Sequence, residues 1–169
     1  MRGKWSLRRP GSVRRVSDPL KYALVERERR YLVAEVPEGV VEVRQISDYY
    51  LDGTRLRLRE VISSDGIVTR KLGHKVRLTS EPSEVACTSV YLDDHEWELL
   101  LALPSRRLRK TRNIIERDGI RLAIDELADG TLLAEIDDGD GAPCRVPDWL
   151  QVIRDVTTEE QWTGAKLAT

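Results

Sequence analysis

Glu26 and Glu28 stand two residues apart in the stretch Val25-Glu26-Arg27-Glu28-Arg29-Arg30-Tyr31-Leu32-Val33, with Arg30 two residues further on. In an extended chain alternate side chains share a face. The two carboxylates then lie side by side next to a guanidinium, and Val25, Arg27, Arg29, Tyr31 and Val33 take the other face. Like charges so placed repel each other. A divalent cation would remove the repulsion, whereas an edge strand charged against aggregation would tolerate it, and this stretch alone leaves both explanations open.

The same alternation recurs along the chain. Residues 43–51 read as a second strand, and Asp52-Gly53 turns it into Thr54-Arg55-Leu56-Arg57-Leu58-Arg59-Glu60, with three arginines on one face and two leucines on the other. Asp65-Gly66 gives a strong hairpin signal into residues 67–72, where Thr69 and Lys71 face away from Val68 and Leu72. Residues 84–92 read as a further strand. Asp93-Asp94-His95-Glu96 then supplies a helix cap, and Trp97, Leu100, Leu101 and Leu103 form the apolar stripe of a short helix ended by Pro104. Residues 108–117 return to extended structure with Lys110 and Arg112 on one face. Asp118-Gly119 leads into residues 120–125, where Arg121 and Asp125 oppose Leu122 and Ile124. Asp129-Gly130 leads into residues 131–137, where Glu135 and Asp137 oppose Ala134 and Ile136. Residues 147–156 read as a helix that starts with proline and acid, and residues 157–160 as the cap of a last short helix.

One such strand alone is explained by a sheet that buries its apolar face and exposes its charges. Several in an antiparallel meander permit a second arrangement: a closed barrel whose charged faces line a polar lumen while helices cover the apolar outside. Glu26, Glu28, Glu135 and Asp137 offer the hard oxygens that Mg²⁺ or Mn²⁺ prefers. Arg57, Arg59, Lys71, Lys110, Arg112 and Arg121 offer donors suited to phosphate oxygens. Acidic and basic sets in one cavity suit a phosphate chain chelated to metal.

Glu26-x-Glu28-x-Arg30 with Tyr31-Leu32-Val33 resembles the Glu-x-Glu-x-Lys signature of the CYTH domain, the triphosphate tunnel metalloenzyme family. The resemblance continues through Tyr50-Leu51, Arg57-Leu58-Arg59, Thr69-Arg70-Lys71, Lys110-Thr111-Arg112, Ile124-Asp125, Ala134-Glu135-Ile136-Asp137, Val156-Thr157 and Lys166-Leu167-Ala168. It covers residues 22–168. It implies an α+β fold built on an eight-stranded antiparallel tunnel with a charged lumen, and an Mg²⁺- or Mn²⁺-dependent activity on a triphosphate. It also implies metal held by Glu26, Glu28, Glu135 and Asp137, and phosphates held by Arg57, Arg59, Lys71, Lys110, Arg112 and Arg121. Glu28, Glu135 and Arg30 are the expected catalytic groups, with either glutamate able to orient the water. The chain departs from the family pattern in three places: Arg30 holds the lysine position, Asp137 is shorter than the usual glutamate, and residues 84–89 keep one acid, Glu84, where relatives often carry two.

The expected reaction is hydrolysis of inorganic tripolyphosphate. A noncatalytic sensor of polyphosphate or nucleotide is the alternative, and thiamine triphosphatase and class IV adenylate cyclase are alternatives within the family. At 169 residues the chain suits one domain, residues 21–169, behind a basic arm. Residues 1–20 carry six bases and one acid, a net of +5, and since the whole chain carries −1, residues 21–169 carry −6. That acidic body and the scarce aromatics argue against nucleic acid as the partner. No apolar run reaches membrane-spanning length, and the two cysteines, Cys87 and Cys144, form no metal or disulfide pattern, which points to a reducing, cytoplasmic setting. A monomer or a homodimer is expected.

Overall fold

A computed structural model describes residues 20–139 and 141–169; the basic arm, apart from Leu20, lies outside the described residues. Nine strands and two short helices follow in order: β1 Leu24–Val33, β2 Val40–Leu51, β3 Leu56–Ser63, β4 Val68–Arg77, β5 Glu84–Tyr91, α1 Asp94–Leu101, β6 Ser105–Arg117, β7 Ile120–Leu127, β8 Leu132–Asp137, β9 Val152–Asp155 and α2 Gly164–Leu167, with a 3₁₀ turn at Glu160–Trp162. The sheet order is β5-β4-β3-β2-β6-β7-β8-β1-β9, and β1 also pairs with β5. That pairing closes eight antiparallel strands into a barrel. β1 meets β8 along one edge, while its other edge is shared by β5 over Leu24 to Arg27 and by β9 over Tyr31 to Val33.

Turn chemistry sets the register. Asp118 and Gly119 both adopt positive φ, 52° and 75°, the geometry of the tight hairpin turn whose twist matches its strands, and Arg117 then pairs with Ile120. Because opposite residues on paired strands share a face, this register carries the charged sets of β6, β7 and β8 to the inside.

The apolar faces are covered from outside in two places. Trp97 of α1 packs with Leu51 and Leu58 and meets the Tyr49 ring edge-on at 5.9 Å. Asp93 caps α1 and Glu96 reciprocates, the capping box expected there. On the far side Tyr31, Ile115, Ile124, Ala134 and Ile136 pack with Leu150, flanked by Val146 and Trp149.

One expected helix is absent. Residues 147–156 form a single turn, closed by Leu150 N–H donating to the Pro147 carbonyl, followed by β9. The β-branched pair Val152-Ile153 lies where β5 has left the edge of β1, and the open backbone groups of β1 take a strand there instead of the weak helical stripe. Several strands also run longer than the pattern suggested: β2 starts at Val40, β4 continues to Arg77, β6 starts at Ser105 and β7 continues to Leu127.

Candidate functional site

A cavity of about 890 Å³ runs inside the barrel. All the expected site residues line it: Glu26, Glu28 and Arg30 from β1, Arg57 and Arg59 from β3, Lys71 from β4, Lys110 and Arg112 from β6, Arg121 from β7, and Glu135 and Asp137 from β8. Their depths differ. Arg121 is more than half exposed and pairs with Glu116 at 3.0 Å, so it sits on the rim. Asp137 is exposed, and its Oδ1 accepts from the backbone N–H groups of Arg27 and Gly139, which ties that oxygen to the strand end.

The acids and bases occupy different walls. β1 and β8 are neighbours, with Glu28 opposite Asp137 and Arg30 opposite Glu135. Around the ring β3 faces β8 across the lumen, and Arg59 of β3 pairs in register with Lys71 of β4. The third basic wall is β6.

Two fully buried carboxylates, Asp48 and Asp125, hold these bases in place. Asp48 accepts a two-pronged bond from Arg59, at 2.6 and 2.7 Å, and lies 3.6 Å from Arg57 Nε. Asp125 accepts from Arg112 at 2.7 Å on each oxygen and from Lys110. Burial by itself would raise the Asp48 carboxyl, but Arg59, Arg57 and Lys110 hold it well below the usual carboxylate range. Glu135 follows the same logic: burial opposes ionisation, yet Lys110, Arg112, Arg59 and Lys75 hold it ionised, and Arg112 bonds it directly.

Other lumen cations keep donors open: among the described residues Arg30 and Lys71 pair with no acid, and Arg57 only shares Asp48 with Arg59. Arg30, 4% exposed, donates to the backbone carbonyls of Pro82 and Thr157 and keeps its Nε buried without a partner. Arg57, 9% exposed, likewise has a buried Nε with no hydrogen bond. Lys71 makes no ion pair with any described residue, and burial, then Arg59 and Arg57, push its ammonium below the ordinary lysine value. Donors left open inside a cavity call for an anion.

Sequence reasoning missed three groups here. Lys75 donates to Glu26 and lies 3.9 Å from Glu28. It escaped because β4 was expected to stop at Leu72; following the alternation through Lys71, Gly73 and Lys75 places it in the lumen. Asp48 shares a face with Tyr50 and was legible by the same count, while the clamping role of Asp125 was not. Cys87 also faces the lumen, where burial and the nearby Glu26 push its thiol upward and keep it protonated. Glu84 pairs with Arg27.

The four expected metal ligands suit a divalent cation in a limited form. Among the described residues no three His, Cys, Asp or Glu side chains converge as a ready-made cage. Magnesium, however, is commonly held by one or two carboxylates, with waters and substrate phosphates completing its sphere. Glu26 and Glu28, neighbours on one face of β1, meet that requirement.

No protein-family model matches the chain, and no curated protein matches it either. Solved structures do. Two crystal structures of NE1496, one describing it as a hypothetical protein and the other as an inorganic triphosphatase, are 22% identical with a TM-score of 0.53; they cover 85% of this chain and 97% and 93% of theirs. PH1012 from Pyrococcus horikoshii OT3 is 14% identical with a TM-score of 0.50, covering 66% of this chain and 77% of its own. At these identities the likeness establishes a shared barrel fold. Among the described residues no helix is long and apolar enough to cross a membrane.

Proposed function

We propose that the barrel is a triphosphate tunnel of the CYTH type that hydrolyses inorganic tripolyphosphate with Mg²⁺ or Mn²⁺. The observation that carries this reading is the set of lumen donors left open in one cavity: Arg30 and Lys71 pair with no described acid, and Arg57, which shares Asp48 with Arg59, keeps a buried Nε without a hydrogen bond. The name of NE1496, an inorganic triphosphatase with the same fold, supports it.

In this reading Arg57, Lys71 and Arg59 hold one part of the phosphate chain, and Lys110 and Arg112 hold another. The forks of Arg59 and Arg112 are oriented beforehand by Asp48 and Asp125, so little reorganisation accompanies charge development. Glu26 and Glu28, joined by Glu135, would hold the metal, which when bound neutralises phosphate oxygens and acidifies water. Glu28 is the better candidate to orient the attacking water. Glu135 is bonded by Arg112, whereas the nearest cation to Glu28 is Lys75 at 3.9 Å. Water adds to the terminal phosphorus, the anhydride P–O bond breaks, and orthophosphate and pyrophosphate leave. Arg30, permanently charged, faces the acids and stabilises charge without carrying a proton.

The test is phosphate release from tripolyphosphate, ATP and thiamine triphosphate with Mg²⁺ or Mn²⁺. Metal-dependent release from tripolyphosphate that drops about 10²-fold or more in Glu28→Gln, with binding retained, is the expected result. A second reading, a noncatalytic sensor, is favoured by Lys75 engaging Glu26. Tripolyphosphate binding without release from any of the three would establish it and overturn hydrolysis.

A further inference from the structure

Lys75 belongs to no motif of the resemblance, yet it sits at the centre of the acidic wall. Its Nζ donates to Glu26 Oε2 and lies 3.9 Å from Glu28 Oε1. Lys75 stands on β4 and the two glutamates on β1, so its stem crosses the intervening β5. It passes where Cys87, its partner in register, presents only a small side chain. The ammonium therefore occupies the position between two neighbouring carboxylates that a divalent cation would seek.

We propose that Lys75 is a resident counter-cation of Glu26 and Glu28, which a divalent metal has to displace. The inference rests on the metal-assisted reading above. The neighbouring lumen cations are fixed: Arg59 by Asp48, Arg112 by Asp125 and Glu135, Arg30 by two backbone carbonyls. Lys75 differs in having a flexible stem and a point charge with rotatable donors. Two like-charged glutamates side by side need a cation at all times, and Lys75 supplies it in the free protein. A phosphate chain lying along Arg57 and Lys71 brings new acceptors beside Lys75, since all three residues line the same β3–β4 wall. The ammonium then exchanges its carboxylate partners for phosphate oxygens as the metal takes the glutamates. Metal and triphosphate thus enter as a linked pair, and neither has to overcome an unbalanced acidic wall. Such an arrangement keeps the free enzyme from holding metal without substrate.

The deciding measurement is direct Mn²⁺ binding without any phosphate, by the electron paramagnetic resonance signal of free Mn²⁺, on the full chain. Lys75→Met should bind Mn²⁺ at least about tenfold more tightly than wild type, a difference of ~1.4 kcal/mol. Lys75→Gln, which retains length and polarity, should act in the same direction and guards against misfolding of the first variant. Adding Glu26→Gln to Lys75→Met should abolish the gain. Lys71→Met removes an equal charge from the same wall without touching the glutamates, and should change affinity by less than about threefold if the effect is local. Equal Mn²⁺ affinity in wild type and both Lys75 variants would overturn the inference, as would a gain in Lys71→Met as large as in Lys75→Met. Mn²⁺ binding to none of the proteins, Lys75→Met included, would also overturn the inference, whereas phosphate release from tripolyphosphate that needs no metal would overturn the metal-assisted reading itself.

Discussion

Asp48 has no exposed surface and still carries a full charge, because Arg59 grips both its oxygens and Arg57 and Lys110 add to the field. A buried pair of this kind adds little net stability over an apolar replacement, so its use is better sought in orientation: it aims a guanidinium into the lumen. Removing one partner is another matter. Asp48→Asn leaves Arg59 and Arg57 in a closed space without their counter-charge, and should cost about 3–5 kcal/mol of unfolding free energy, read from a urea midpoint. The pH dependence has a definite sign. The folded Asp48 carboxyl titrates below its unfolded value, about 3.9 for a free aspartate, so the folded protein holds fewer protons between the two values. Its contribution is present above about pH 4 and is lost as pH falls toward the folded value. The acid limb of wild-type stability should therefore be steeper than that of Asp48→Asn; equal slopes would mean that Asp48 does not carry this charge.

The C-terminal elements meet the barrel wall and line the cavity through contacts that leave little room. A Cβ on Gly164 would come 2.1 Å from the Tyr50 hydroxyl oxygen and 3.2 Å from the carbon that bears it. Tyr50 lies on β2 and lines the cavity, so α2 and the lumen meet at this glycine. Gly164→Ala has to push α2 or the phenol aside and should cost about 1–3 kcal/mol, the usual range for overpacking. Tyr50→Phe in the same chain should recover most of that loss, because the closest atom is the hydroxyl oxygen; a urea midpoint unchanged on adding it would place the strain elsewhere. The hairpins β2–β3, β3–β4, β6–β7 and β7–β8, the charged faces of β1, β3, β6, β7 and β8 and the capping box of α1 were legible in residue alternation, Asp-Gly turns and Asp93-x-x-Glu96, whereas the pairings β2–β6, β1–β8 and β1–β5 were not. Contact between Gly164 and Tyr50 was not, since no local pattern links residues 114 positions apart. Residues 147–156 misled for the same reason. Proline and acid signal a helix start locally, but the deciding partner was the open edge of β1, which becomes visible only once β5 is seen to leave it at Arg27.

On the scale of the whole barrel, closure is in tension with the charge it encloses. Eight strands close on one another through the short β1–β5 pairing, and the apolar faces satisfy themselves against α1 and the 146–150 segment. Inside, Arg59 and Arg57 repel the Lys71 ammonium, and that repulsion opposes the compact state. A polyanion that spans the walls removes it and binds the folded chain alone. Tripolyphosphate without metal at about 100 times its dissociation constant should therefore add ~2.7 kcal/mol, raising the midpoint of thermal unfolding by about 5–10 °C for a chain of this size. Orthophosphate at the same concentration should give less than half of that shift, because one phosphate cannot reach the β3–β4 cations and the β6 cations together. The comparison separates a lumen that accepts a chain from a generic anion effect. Equal shifts for the two anions would locate binding at single exposed bases such as Arg121, and the enclosed donors of Arg30 and Arg57 would then need another ligand.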